Sequence, residues 1–191
     1  MVSKSSEKST DCESVRAQVI EHYAQCWASP YIDHRLMRGR GVVDIPCFSV
    51  LAFTPRKGRS LWTYATCGMS ATESRTRVEL HLFSQNDCLA HVETLTVIAH
   101  YHATGATIKL GDTVNFGRPW IEGSLCQYGL ISRPYLDGPR LEQSPVAQFL
   151  WLIPITAEER ELNIRCGLES LESKFEAANF NYADPLRKSV V

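Results

Sequence analysis

Paired cysteines are missing from this sequence. The seven present, Cys12, Cys26, Cys47, Cys67, Cys88, Cys126 and Cys166, are scattered, odd in number and never spaced C-x-x-C. Neither a disulfide framework nor a zinc knuckle is expected from them, and all seven read as reduced, mostly buried small hydrophobes of a cytoplasmic protein. Charge of one sign is not in excess either. The 20 Lys+Arg face 21 Asp+Glu with no block of like charge, which argues against a nucleic-acid stripe or a polybasic membrane anchor and for a neutral partner, a protein or a small ligand. The longest apolar runs, QFLWLIPI and LTVIA, fall far short of the roughly 20 residues a membrane span needs. The start, MVSKSSEKSTDCES, has no apolar stretch that could serve a secretory signal, and residues 1–13 are expected to be a flexible tail.

What is present is patterned for one domain over residues 14–191, a length suited to a single buried core. Val15, Val19, Tyr23 and Cys26, with Ile20 and Trp27 alongside, recur at three and four and predict a helix over Ser14–Trp27. Strands are predicted at Cys47–Thr54, Leu61–Cys67 and Arg77–Phe83. In the last, Val78, Leu80 and Leu82 alternate with Arg77, Glu79 and His81, which puts one face inside and leaves the other wet or against a partner. Asn86 or Asp87 can cap a helix reaching about His102. Cys126–Ser132 and Ala147–Ile155 read as further strands, and Pro154, which cannot donate to a ladder, marks an exit or an edge. Thr156 and Glu159 form a capping box. A final helix follows, with Ile164, Leu168, Leu171 and Phe175 on one side and Gly167 allowing close approach. The sum is an α+β fold, helices packed on a mixed, largely antiparallel β-sheet.

Two loops gather residue types favoured at protein interfaces. GDTVNFGRPW offers Asp112, Arg118 and Trp120 on a glycine-rich scaffold; RPYLDGPRLE offers Arg133, Tyr135, Asp137 and Arg140 around an Asp-Gly-Pro turn. Arginine supplies a planar donor fork and the aromatic rings large amphipathic surfaces, and a rigid scaffold commonly presents such loops as a binding rim. Turn chemistry alone would also produce these residues. A catalytic alternative would be a hydrolase or metal-dependent enzyme using the histidines, His81 among them, with Asp112 and Asp137 in a loop pocket, but no G-x-S-x-G elbow is present and His100 and His102, two apart, fall on different helix faces. No catalytic residue, metal site or cofactor is therefore expected.

Several blocks taken in order, YATCGMSATES with RVELHLF, LGDTVNFGRPWIEGS, FLWLIPITAEERELNIRCGLESLESKFE and NYADPLRKSVV, resemble a suppressor of fused domain of the bacterial type from about Asp44 to the end. The resemblance implies a fold like the amino-terminal lobe of the eukaryotic protein, which binds a transcription factor in Hedgehog signalling by gripping an extended segment between two lobes. It also implies kinship with bacterial domains predicted to be immunity proteins, each neutralising a partner toxin. These 191 residues hold no second lobe, so a two-lobed clamp within the chain is not expected.

Overall fold

The computed structural model describes residues 3–35, 45, 47–72, 76–142 and 144–191, with backbone alone for 3–10. The elements run α1 (Ser3–Trp27), β1 (Tyr31–His34), β2 (Ser49–Phe53), β3 (Trp62–Cys67), a 3-10 turn at Met69–Ala71, β4 (Val78–Ser84), α2 (Leu89–Ala103), β5 (Thr113–Asn115), β6 (Tyr128–Ser132), α3 (Pro139–Glu142), β7 (Gln148–Ile155), α4 (Ala157–Cys166) and α5 (Leu168–Ala177). The strands are ordered β1-β2-β3-β4-β7-β6-β5. The pairs β1–β2, β2–β3, β3–β4, β5–β6 and β6–β7 are antiparallel. The α+β class with helices on a largely antiparallel sheet is as the sequence predicts. Contacts divide the chain into two compact units: Met1–Ile108 with Arg133–Leu150, and Lys109–Ser132 with Trp151–Val191.

In the first unit the predicted stripe on α1 becomes the core. Val19, Tyr23 and Trp27 are buried against Leu51, Phe53, Ala65, Cys67 and Phe149. Tyr23 stacks on Trp27 at 4.5 Å and meets Phe53 and Phe149 edge-on at 5.7 and 5.1 Å. Each such ring contributes on the order of 2–3 kcal/mol by leaving water. Because side chains alternate along a strand, Val50, Ala52 and Tyr64, equally buried, point the other way, where α2 packs on β2 and β3. Helices thus cover both faces of this part of the sheet.

That arrangement corrects the reading of β4. Glu79 and His81 are as buried as Val78, Leu80 and Leu82, so both faces of β4, an interior strand, are covered. The expected open face does not exist there. Four further differences concern chain ends and turns. β1 and β5, both unanticipated, are strands of four and three residues. β7 is an interior strand, so Pro154 marks its exit and not an edge. The N-cap of α2 is Cys88, while Asp87 accepts the Tyr64 hydroxyl at 2.6 Å. The single final helix is two, broken at Gly167, whose φ of 85° ends α4; nothing lies within 4 Å of where its Cβ would be, and Ile164 is exposed.

In the second unit the capping box is formed as expected, Thr156 Oγ1 accepting from Glu159 N at 3.3 Å and Glu159 Oε2 from Thr156 N at 2.9 Å. Glu159 is fully buried and also grips Arg187, whose Nη1 and Nη2 donate to Oε1 and Oε2 at 2.6 and 2.7 Å. Arg187 Nη2 further donates to Pro154 O at 2.9 Å. The carboxy-terminal segment is tied down in this way, its Phe180 stacked on Phe175 at 4.2 Å.

The cysteines need a second correction. Cys12 on α1 and Cys47 just before β2 are joined by a disulfide. Sequence spacing gives no sign of it, since the pair is brought together by the docking of α1 beside β2. Of the free five, Cys67 and Cys126 are buried, Cys26 and Cys88 partly so, and Cys166 is exposed.

Candidate functional site

The loop that follows β6 is built around a buried carboxylate. A turn is closed by Asp137 N and Gly138 N, both donating to Pro134 O at 3.0 and 2.9 Å. Gly138 takes φ 75° there, a conformation that costs other residues but not glycine. This turn sends Asp137 inward, its side chain only 5% exposed. Oδ1 accepts from Trp27 Nε1 at 2.7 Å and from Arg59 Nη1 at 2.6 Å. Oδ2 stands 3.4 Å from His81 Nε2.

Arg59 is itself fixed three ways. Its Nε and Nη2 donate to Thr63 Oγ1 at 3.2 and 2.9 Å, and its guanidinium lies 4.6 Å from the Trp27 ring centre and 5.3 Å from that of Phe83. Burial by itself would raise the Asp137 carboxyl, but the hydrogen bonds and charges of His81 and Arg59 outweigh it and hold the group at about 2. Burial pushes His81 down. Arg59, charged at any ordinary pH, is the standing cation beside the carboxylate.

Around this anchor the neighbouring side chains face solvent. Arg133, Tyr135, Leu136 and Arg140 are all exposed, with Tyr135 at 57% and Leu136 at 49%. Arg133 is paired with Glu142 on the same loop, Leu141 O meets His22 Nε2 at 2.8 Å, and the Cys26 thiol points at Arg140 O. Of the sequence-predicted residues here, Arg133, Tyr135 and Arg140 lie on the surface and Asp137 does not.

Asp112, Arg118 and Trp120 belong to the second unit. Asp112 closes a local turn, Oδ2 accepting from Lys109 N at 2.9 Å. Trp120 is buried, 9% exposed, its N donating to Cys126 O at 2.7 Å and its ring 5.1 Å from Phe116. Arg118 is exposed. In this loop the tryptophan is scaffold and the arginine is the group presented outward.

A second buried carboxylate was placed by the sequence on an open face. Glu79 Oε1 accepts from Ser70 Oγ, Ser70 N and Gly68 N at 2.6, 3.0 and 3.1 Å, and Oε2 accepts from Thr66 Oγ1 at 2.6 Å. Burial raises the Glu79 carboxyl, and these donors offset part of the rise. Ser70, a candidate nucleophile by composition, spends its hydroxyl proton on Glu79; burial pushes the Cys67 thiol well up. His102 is likewise committed, Nδ1 accepting from Ile108 N at 3.2 Å. Among the described residues, no three His, Cys, Asp or Glu side chains come together as metal ligands, and no helix is long and apolar enough to cross a membrane. Arg59, Trp27 and His81 were not singled out together by the sequence, because they lie far apart in the chain.

The fold and this geometry can be set beside known proteins. The family model for the suppressor of fused protein (SUFU) matches residues 44–188. A SUFU homologue from Neisseria gonorrhoeae FA 1090 is similar in structure with a TM-score of 0.85 and 32% identity, over 94% of this chain and 98% of that one. The Sufu–Fu complex matches at TM-score 0.61 and 16% identity over 90% of each chain, and Drosophila Suppressor of Fused at 0.62 and 16%, over 91% of this chain and 50% of that one; at such identities the likeness is of fold. No protein of curated function matches. With one model spanning most of its length and a bacterial homologue alike in fold and sequence end to end, the chain belongs to the suppressor of fused family.

Proposed function

We propose that this chain is a non-enzymatic protein-binding domain of the cytoplasm, of the immunity type that neutralises a partner toxin. The observation that carries the reading is the pinned loop at Arg133–Glu142. Asp137 is held by Trp27 and Arg59, which fixes the backbone that presents Tyr135, Leu136, Arg133 and Arg140 to solvent. An aromatic and an aliphatic side chain exposed together on a rigid support suit a macromolecular contact, because little conformational entropy is lost on binding. Arg118 of the second unit is a further contact group in this proposal, with Asp112 and Trp120 shaping its loop. One fold relative at 16% identity is a Sufu–Fu complex, which supports protein binding as the class of activity.

Capture from native lysate by the immobilised full chain tests the reading. The double variant Tyr135→Ala, Leu136→Ala should lose partner capture by about tenfold or more while its melting temperature stays within about 2 °C, since exposed substitutions seldom move stability beyond about 0.5 kcal/mol. Undiminished capture would place the contact elsewhere, and a large fall in melting temperature would make the loop scaffold. For the immunity role, growth of cells expressing the captured partner should be restored by co-expressing the wild-type chain and not the double variant.

A further inference from the structure

We propose that the partner segment received by this loop is acidic, with aromatic or aliphatic side chains among its carboxylates; the inference rests on the protein-binding reading above and names the chemistry of the partner. Three other pieces of chain converge on the Arg133–Glu142 loop. The β2–β3 turn is joined to it by the Arg59–Asp137 bond of 2.6 Å, and in that turn Arg56 and Arg59 exchange backbone hydrogen bonds at 2.8 and 2.9 Å. The end of α1 is joined by Trp27 Nε1 on Asp137. The start of β1 is joined in turn to the β2–β3 turn, Thr54 N donating to Pro30 O at 3.1 Å, with Tyr31 5.3 Å from Phe53 ring to ring.

On these linked segments Arg56, Lys57 and Arg140 are exposed, and so are Tyr31, Tyr135 and Leu136. The acidic groups of the loop itself are already paired: Asp137 inward with Arg59, and Glu142 at the surface with Arg133. Among the described residues, Arg56, Lys57 and Arg140 have no ion pair. A chain with one net negative charge overall thus carries exposed cations without an ion pair on the same linked segments of its first unit as these exposed apolar side chains. Charge complementarity then selects carboxylates in the partner, and Tyr135 with Leu136 selects apolar side chains between them.

A random glutamate–tyrosine copolymer is the probe, its binding to the full chain followed by fluorescence anisotropy at low and high salt, beside a lysine–tyrosine copolymer and single-stranded DNA. Wild-type chain should bind the glutamate–tyrosine copolymer and not the lysine–tyrosine one, and salt should weaken the binding because exposed charges are screened. The triple variant Arg56→Ala, Lys57→Ala, Arg140→Ala and, separately, the single reversal Arg140→Glu should each bind about tenfold more weakly with unchanged melting temperature. Equal binding by these variants, or no binding by the wild type, overturns the proposal. DNA bound as tightly as the copolymer overturns it too, by making these cations a general polyanion site. If the charge variants behave as wild type while Tyr135→Ala, Leu136→Ala still abolishes capture of the native partner, the acidic chemistry fails and the protein-binding reading stands.

Discussion

Replacing Asp137 with alanine would leave Trp27 Nε1 and one arm of Arg59 facing no carboxylate in a nearly dry site. Breaking such a pair from one side costs about 3–5 kcal/mol when burial is complete, and Arg59, 17% exposed, moderates this to about 3 kcal/mol. The pH dependence gives the substitution a signature of its own. Asp137 titrates at about 2 in the folded chain, below the roughly 3.9 of an unfolded aspartate. Its stabilisation, on the order of 2 kcal/mol, is therefore complete above about pH 4 and is lost as pH falls towards 2. Glu79 acts in the opposite sense, since a raised folded-state value favours the native state at low pH and loses that contribution as pH rises through it. Urea unfolding from pH 2 to 6 should show Asp137→Ala less stable by about 3 kcal/mol at the upper end, with the gap to wild type narrowing below about pH 4. A constant gap across that range would mean that the carboxylate charge is not what holds the loop.

At the scale of elements, α4 shows which parts of the structure can be seen in a sequence and which cannot. Its capping box was legible because Thr156 and Glu159 are three residues apart and their bonding is local. The buried partner of Glu159 was not, because Arg187 comes 28 residues later and no local pattern marks it. The same division explains the strands. β2, β3 and β4 are apolar runs between turn residues, whereas β1 and β5 are too short to show a period and owe their conformation to pairing with β2 and β6. β4 misled because alternation implies one open face only if one face is left uncovered, and here helices and neighbouring strands cover both. Arg187→Ala should destabilise the second unit by about 3–5 kcal/mol, since it strands a fully buried Glu159. The double variant Glu159→Gln, Arg187→Met removes both charges and should recover at least half of that loss in thermal unfolding, as expected when the penalty is an unpaired charge and not lost packing. A double variant as unstable as Arg187→Ala would locate the loss in packing on Phe175 and Phe180, whose ring centres are 5.7 and 5.1 Å from the guanidinium.

For the whole molecule, family and fold class were legible from the order of several blocks along the chain, but both anchors of the candidate site are distant pairs, Trp27 and Arg59 with Asp137, and so is the disulfide of Cys12 with Cys47. The last pair carries a consequence for the chain as a whole. Scattered cysteines without a spacing motif read as thiols, yet a bond needs only that two of them meet in the fold, and α1 brings Cys12 to Cys47 across 35 residues. Closing a loop of that length reduces the entropy of the unfolded chain by an amount equivalent to about 4 kcal/mol, an upper figure because unfolded chains keep some structure. Protein purified without reductant and denatured should therefore expose five thiols to a chromogenic disulfide reagent, and seven after reduction. Reduction, or Cys12→Ser with Cys47→Ser, should lower the melting temperature by several degrees. Seven reactive thiols from the start, with no change on adding reductant, would mean that the pair stays reduced, as befits a reducing compartment; the contact between α1 and the segment entering β2 would then rest on Arg16, which donates to Cys47 O and Ser49 Oγ at 3.2 and 2.6 Å, and Arg16→Ala would become the substitution that loosens α1.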